Sequence, residues 1–332
     1  RGYAREFAEQ IFEQIKGFSE YGFPESHAAS FALLVYASSW IKCHEPAAFL
    51  AALLNSQPMG FYSASQLVQD ARRHGVEVRP VDVMYSDVDT SLEDLPQKPA
   101  VRLGLHLVQG LRHASAGRIM AERMRAPFDS AEELARRCGL EQHEMKLLAA
   151  AGALASLSGH RRQQVWDAAA LHAPPRLLQD APVEEDFLEL PAASEGEDVL
   201  WDYASVGLTL RSHPMALLRP RLDRYRLKTS QDLRRIPDGR TVRTAGIVTL
   251  RQQPATANGT VFVSLEDEHG ATQVIVWRSL RETQRQVLLG ARLLAVKGRW
   301  QRQGDVCNLI AERLADLSPL LGRLTTESRD FR

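Results

Sequence analysis

The stretch GIVTLRQQPATANGTVFVSLEDEHGATQVIVW, residues 246–277, decides the fold of the C-terminal part of this chain. Asp267-Glu268-His269-Gly270 predicts a hairpin turn, and the segment 279–289 predicts a helix. Around them, apolar and β-branched runs predict five strands, at 241–251, 260–266, 272–277, 291–301 and 305–311. This β-β-β-α-β-β order is typical of an OB-fold, a small barrel that often binds single strands.

The predicted barrel lies in a basic part of the chain. From Arg219 to the C-terminus, Lys and Arg outnumber Asp and Glu by 21 to 12, although the whole chain has a formal net charge of zero. Such a bias favours a polyanion-binding surface, and a plain solvated face is the alternative. Trp277 and Phe262 are expected inside the barrel, which leaves Trp300 as the candidate for base stacking. The predicted single-strand contacts are Arg243, Arg251, Arg278, Lys297, Arg299, Trp300 and Arg302.

Two apolar-glycine-apolar turns, Val108-Gln109-Gly110-Leu111 and Ala151-Gly152-Ala153, resemble the hairpins of helix-hairpin-helix modules. Glycine lets backbone N–H groups approach a phosphate at a helix N-terminus. Ordinary helix connections remain the alternative for both turns. The predicted contacts to duplex DNA are Gly110, Arg112, His113, Ser115 and Gly152.

Residues 21–55, YGFPESHAASFALLVYASSWIKCHEPAAFLAALLN, predict two helices separated at Pro46. The first is expected from His27 to about His44, with Ser26 as its N-cap. Its buried stripe is expected to consist of Phe31, Leu34, Val35, Ser38 and Ile41. Ser26 and His27 either bind a phosphate at the helix start or form an ordinary cap.

Composition places the chain among multidomain globular proteins. Its 332 residues exceed one ordinary core, and three scattered cysteines favour a reduced, cytoplasmic setting without a zinc site. No apolar run is long enough for a membrane span, and we find no signal peptide, P-loop, HExxH motif or nucleophile triad. The carboxylates Glu184-Glu185-Asp186 fall in an acidic connection, so no metal site is expected. Without an initiator Met, the chain is expected to be a fragment.

Taken in order, these motifs resemble the C-terminal part of bacterial C-family DNA polymerases, the DNA polymerase III alpha subunit type. The order continues through QDARRHGVEVRPVDV, RLGLHLVQGL, AAAGAL and VGLTLRSHP. The wording GFPESHAASFALLVYASSWIKCHEP is most similar to the error-prone, damage-inducible branch.

The resemblance implies an α+β multidomain chain with helical fingers, a helix-hairpin-helix region and a C-terminal OB-fold. Ser26 and His27 would lie near the incoming nucleotide, and the hairpins would hold duplex DNA. The palm, whose aspartates would use Mg²⁺ in the full-length enzyme, would precede Arg1. The fragment alone would therefore bind no metal and be inactive. The implied parts are fingers at 1–86, hairpin region at 87–175, acidic connection and linker at 176–237, OB-fold at 238–318 and tail at 319–332.

The resemblance implies DNA as the partner, both primer-template and single-stranded template, in translesion synthesis. The interval that holds a clamp-binding peptide in replicative members offers only Gln179-Asp180 and Asp186-Phe187-Leu188. Direct sliding-clamp binding is therefore doubtful, and an adaptor resembling a Y-family polymerase is the implied recruiting partner. The alternatives are a non-catalytic module that binds single strands or proteins and a tRNA-binding OB appendage of a synthetase, which the helices after Ser26-His27 disfavour.

Overall fold

The computed structural model describes residues 6–7, 9–13, 25–96, 98–170, 190–304, 306–324 and 328–331. Its first part is helical, with a small sheet, and its last part is a β-barrel. From Glu25 onward, the helices of the first part are α1 Glu25–His44, α2 Pro46–Asn55, α3 Ala64–Arg73, α4 His113–Arg125, α5 Ala131–Cys138, α6 Gln142–Ala150, α7 Ala155–Ser158 and α8 Arg161–Ala170.

The small sheet has three short strands, β1 Val78–Arg79, β2 Ser91–Glu93 and β3 Ala100–Arg102. Strand β3 is central, parallel to β1 and antiparallel to β2. One hydrophobic cluster extends from Ala47 to Leu208 and includes residues of α2, α3, β3, α4 and α6. The packing therefore continues across residue 86, where the sequence suggested a boundary between fingers and hairpin region.

Helix α1 departs from the predicted packing. It ends at His44 as predicted, but it begins at Glu25, so Ser26 lies within the helix and is not its N-cap. The stripe that was expected to be buried is open: Phe31 is 53% exposed and Leu34 60% exposed. Within the described parts of the chain, no element covers this face. The helix meets α2 at its C-terminal end, where Lys42 forms an ion pair with Asp70 of α3 at 3.0 Å.

The segment predicted as a linker is folded where the structure describes it. It contains α9 Glu195–Ser205, α10 Pro214–Leu222, a 3₁₀ turn Asp223–Tyr225 and α11 Ser230–Leu233. A hydrophobic cluster joins Val199, Met215 and Leu222 to barrel residues Ala245 and Leu293. The acidic side chains of 195–198 lie in the first turn of α9, where the helix dipole favours negative charge.

The C-terminal part is a closed five-stranded barrel in the order β5-β6-β8-β7-β4, with β4 and β5 also paired. Helices α12 Arg278–Thr283 and α13 Arg285–Gly290 join the third and fourth strands. Its strands are β4 Thr241–Gln252, β5 Val261–Asp267, β6 Gly270–Val276, β7 Leu293–Gln303 and β8 Val306–Asp316, and β9 Arg329–Phe331 adds to β4 in parallel. The predicted α+β class and OB-fold are confirmed.

Among the helices that the structure describes, none combines the length and the apolar character needed to cross a lipid bilayer.

Candidate nucleic-acid interface

The first hairpin ends in an exposed helix N-terminus. A 3₁₀ turn at Leu105–Leu107 leads through Gly110, which has a φ of +83°, into α4. A Cβ at Gly110 would also lie 3.3 Å from Leu147. Only glycine therefore makes this turn without strain. Arg112 and His113 are exposed at the start of α4. The structure gives the N–H groups of Gly110, Arg112 and His113 no acceptor among the described residues, so they are available to an anion.

Glu144 organises the base of this hairpin from inside the protein. It is only 2% exposed, and its Oε1 accepts a hydrogen bond from Arg112 Nε at 3.1 Å and another from the Ser115 hydroxyl. Burial would raise the pKa of Glu144, but the hydrogen bonds from Ser115, the Glu141 N–H and Arg112 outweigh it and hold the pKa below its ordinary value. The buried carboxylate thus fixes the exposed guanidinium of Arg112 beside the open N–H groups.

The second hairpin is built differently. Gly152 has a φ of +71°, and its N–H donates to Ala149 O at 2.9 Å. A Cβ at Gly152 would lie 2.7 Å from Arg161 Nη2, a buried guanidinium that pairs with Asp202 Oδ1 at 2.5 Å. The turn therefore packs against an internal ion pair, and its N–H is already used. Gly152 is a packing residue in this structure, which corrects its predicted role as a phosphate contact.

The outer face of the barrel carries a row of cations across three strands. Arg243 on β4 lies opposite Lys297 on β7, which lies opposite Arg313 on β8. Arg299, two residues further along β7, is opposite Thr241 and also exposed. None of these cations has a carboxylate oxygen within 4 Å among the residues that the structure describes. Like charges placed opposite one another in a sheet are unfavourable, so this row favours an anionic ligand.

Comparison with known proteins fits this arrangement. A helix-hairpin-helix motif family matches residues 75–164. The error-prone DNA polymerase of Azoarcus sp. (strain BH72) is 55% identical over 337 residues, and that of Burkholderia pseudomallei (strain K96243) is 56% identical over 338 residues. Each match covers 100% of this chain and 32% of the relative. Over its whole length, the chain is therefore homologous to a part of the error-prone DNA polymerases.

The chain spans about a third of the length of the curated relatives that it matches. The error-prone DNA polymerase of Alkalilimnicola ehrlichii (strain ATCC BAA-1101 / DSM 17681 / MLHE-1) is 54% identical over 99% of this chain and 32% of its own length. Among solved structures, the asparaginyl-tRNA synthetase from Pyrococcus horikoshii shares 22% identity over 24% of this chain and 20% of its own, with a TM-score of 0.21. That overlap is too low to bear on fold or function.

Three side chains predicted to contact DNA are internal in this structure. Ser115 is fully buried and donates to Glu144. Arg251 is 6% exposed, and its guanidinium donates to the carbonyls of Leu288 and Ala291. Trp300 is 3% exposed within the barrel core. These predictions are wrong, because side chains enclosed in this way reach neither a phosphate nor a base without opening the fold.

The remaining barrel residues are accessible to different extents. Arg278 is exposed but pairs with Glu282 at 2.8 Å, and Arg302 is exposed with Nη1 donating to Arg234 O at 3.0 Å. Trp277, expected inside, is 51% exposed. Tyr225, which the sequence analysis did not single out, is 62% exposed and lies among arginines in the stretch DRYR. The sequence pattern that could have identified Tyr225 is an aromatic residue with an arginine on each side.

The N-terminal pair can be placed only in part. Glu25 begins α1, and the side chain of Ser26 lies outside the described residues. His27 is exposed, with its ring centroid 4.4 Å from that of Phe31 at an angle of 51°. The segment 179–188, which holds the weak candidates for a clamp-binding peptide, also lies outside the described residues.

Replacing Glu144 with glutamine is expected to lower the free energy of unfolding by about 1.5–3 kcal/mol at neutral pH, because the buried charge-assisted hydrogen bonds are lost. Since the folded-state pKa of Glu144 is depressed, its stabilisation is present above the ordinary glutamate pKa and is lost as the pH falls through the folded-state value. Urea unfolding of both proteins should therefore converge towards acid pH. Glu141→Gln, an exposed neighbour in the same hairpin, is the control, and an equal effect of both substitutions would contradict the role of Glu144.

Proposed function

We propose that this chain is the DNA-binding portion of an error-prone DNA polymerase that acts in translesion synthesis and damage-induced mutagenesis. The observation that carries the proposal is the whole-chain identity to error-prone DNA polymerases, combined with a hairpin whose open N–H groups and fixed arginine face solvent. In this proposal the first hairpin holds the backbone of duplex DNA, and the OB-fold holds the single-stranded template.

The duplex contact is proposed to be a phosphate bound at the start of α4. The N–H groups of Gly110 and His113 would donate to its oxygens, and the helix dipole favours the negative charge there. Arg112 would add a charge-assisted hydrogen bond from a guanidinium already oriented by Glu144. Such contacts position a duplex without reading its sequence, which suits an enzyme that must accept any template.

Nucleotide transfer is proposed to take place in the part of the longer relatives that this chain does not span. The Mg²⁺ chemistry of nucleotide transfer needs clustered carboxylates. Among the residues that the structure describes, no group of three or more His, Cys, Asp or Glu side chains could hold a metal ion, so these residues do not fit such a centre. Ser26 and His27 are proposed to lie near the nucleotide in the complete enzyme, as part of its fingers, and recruitment is proposed to use an adaptor resembling a Y-family polymerase.

The duplex proposal is tested by replacing Arg112 with alanine and measuring affinity for duplex DNA over a salt series by fluorescence anisotropy. Loss of one phosphate contact is expected to weaken binding and to reduce the salt dependence of log K by about 0.9. Arg125→Ala is the matched control, because Arg125 is an exposed arginine at the other end of α4. Equal losses in both variants, or duplex binding that does not respond to salt, would contradict the proposed contact.

A further inference from the structure

Arg243 is the one predicted single-strand contact that lines a groove on the barrel surface. The groove has a volume of 420 Å³ and lies where the chain enters β4, between the 3₁₀ turn Asp223–Tyr225 and the sheet. Its floor is formed by Ala295 of β7 and Ala315 of β8, which are in register with each other. Small side chains at this point leave room for a flat group against the sheet.

The rim of this groove is cationic and aromatic. Arg224, Tyr225 and Arg226 line the groove together with Arg243 of the cation row. Tyr225 is 62% exposed, and none of the three arginines has a carboxylate oxygen within 4 Å among the described residues. An exposed aromatic face beside unpaired arginines is the combination that single-stranded nucleic acid uses, with bases stacked and phosphates neutralised.

The backbone holds this rim in place. Lys228 N donates to Arg243 O at 2.8 Å, and the Thr244 hydroxyl donates to Lys228 O at 2.7 Å, so the turn is fastened to β4. Arg226 adopts a left-handed conformation with a φ of +54°. This conformation is unfavourable for a residue with a Cβ, so the surrounding contacts must hold it. The rim is therefore a fixed part of the barrel and is built before a ligand arrives.

The groove continues the cation row across the barrel. One step along the strands from Ala295 and Ala315 lie Lys297 and Arg313, and Lys297 is in register with Arg313 on one side and with Arg243 on the other. A single nucleic-acid strand that lay along this row of cations would contact the phosphate-binding cations first and Tyr225 next. The OB-fold surface that usually binds oligonucleotides is formed by the second and third strands, here β5 and β6. In this barrel that surface carries the uncharged side chains of Phe262, Gln273 and Ile275, together with the carboxylate of Glu266, and no cation from either strand.

We propose that single-stranded nucleic acid crosses this barrel over β4, β7 and β8 and stacks a base on Tyr225, with its phosphates on Arg224, Arg243, Lys297 and Arg313. The inference deepens the proposed function and rests on it, since it names the path that the template strand takes on the OB-fold. It also assigns a role to Arg224, Tyr225 and Arg313, which the sequence analysis left without one.

The test measures affinity of the purified chain for poly-thymidylate and maps its photocrosslinks to an oligonucleotide that carries 5-iodouracil. Tyr225→Ala is expected to weaken binding about tenfold or more, and Tyr225→Phe, which keeps the ring, is expected to bind like the wild type. Arg243→Ala is expected to lower the salt dependence of log K by about 0.7. The crosslinked peptide should contain Tyr225.

Trp277→Ala is the comparison variant, because Trp277 is the exposed tryptophan at the end of β6. Loss of affinity in Trp277→Ala with full affinity in Tyr225→Ala, or crosslinks confined to β5 and β6, would overturn the proposed path while leaving the DNA-binding role intact. Failure of the wild-type chain to bind any DNA would overturn both. Equally effective displacement of poly-thymidylate by poly-glutamate would replace the nucleic acid with an acidic protein segment as the ligand.

Discussion

Replacing Gly298 with alanine is expected to destabilise the barrel by about 3 kcal/mol or more. Gly298 lies on β7 at a register shift, opposite Ala311 on β8. A Cβ at this position would overlap Ile310 O and lie 2.8 Å from Ile310 C. Both atoms belong to the backbone of a paired strand, so no rotamer change can relieve the contact and the two central strands must separate.

Trp300 provides the measurement. Of the five tryptophans in the chain it is the buried one, whereas Trp40, Trp166, Trp201 and Trp277 are exposed. Opening of the barrel should therefore shift the fluorescence emission of Trp300 to longer wavelength. Gly298→Ala is expected to move this transition to lower urea concentration. Gly290→Ala is the control, because nothing lies within 4 Å of its added Cβ. An unchanged transition in Gly298→Ala would show that β7 and β8 do not approach as closely as described.

Loss of the close approach between β7 and β8 is also expected to weaken DNA binding. The register shift at Gly298 separates the pairing of Lys297 with Arg313 from that of Arg299 with Ile310. It therefore decides which β8 side chains stand beside the two β7 cations on the outer face. The arrangement of the cation row therefore depends on the main-chain contact at Gly298, which is an uncharged residue.

The barrel was predictable because its information is local. Alternating side chains and the turn at Asp267–Gly270 determine strands and their order without reference to distant residues. The same alternation could have placed the tryptophans correctly. Val296, Gly298 and Trp300 are buried and share one face of β7, whereas Lys297 and Arg299 share the other. The prediction for Trp300 failed because the charge of its neighbours was given more weight than the period of the strand.

Other side chains could not be placed from sequence. Arg251 follows a register shift between Val248 and Leu250, and such a bulge changes which face the next residues occupy. Ser115 is buried because Glu144, 29 residues away, takes its hydrogen bond. Contacts of this range depend on how the helices pack, and local patterns do not report them.

The connection between hairpin region and barrel illustrates the same limit. Its acidic composition suggested a loose linker, but Asp198 and Asp202 of α9 are partners of Arg161 on α8. The sequence does not distinguish an aspartate that completes a buried ion pair from an aspartate that is solvated in a linker. Only the position of the partner distinguishes the two, and here the partner follows the second hairpin.

Replacing Arg161 with alanine is expected to lower the free energy of unfolding of the helical part by about 3 kcal/mol, because it removes the buried cation of Asp198 and Asp202 and leaves them only the 45% exposed Arg211. The side chain of Arg161 is 7% exposed, and its Nη1 donates to Asp198 O at 2.7 Å. Its Nη2 pairs with Asp202 Oδ1 at 2.5 Å and donates to Ala151 O at 3.4 Å. One guanidinium thus ties the second hairpin and α8 to α9.

Arg162 offers a control in the next position of the same helix. It pairs with Glu197 at 3.3 Å, but its side chain is 40% exposed. Because solvent screens such a pair, Arg162→Ala is expected to cost less than about 1 kcal/mol. Urea unfolding followed by far-ultraviolet circular dichroism compares the two variants. If Arg161→Ala is as mild as Arg162→Ala, the ion pair is not a structural tie. If it is severe, the acidic helix α9 is an integral part of the hairpin region, and DNA held by the first hairpin is held by the same folded unit that carries the barrel.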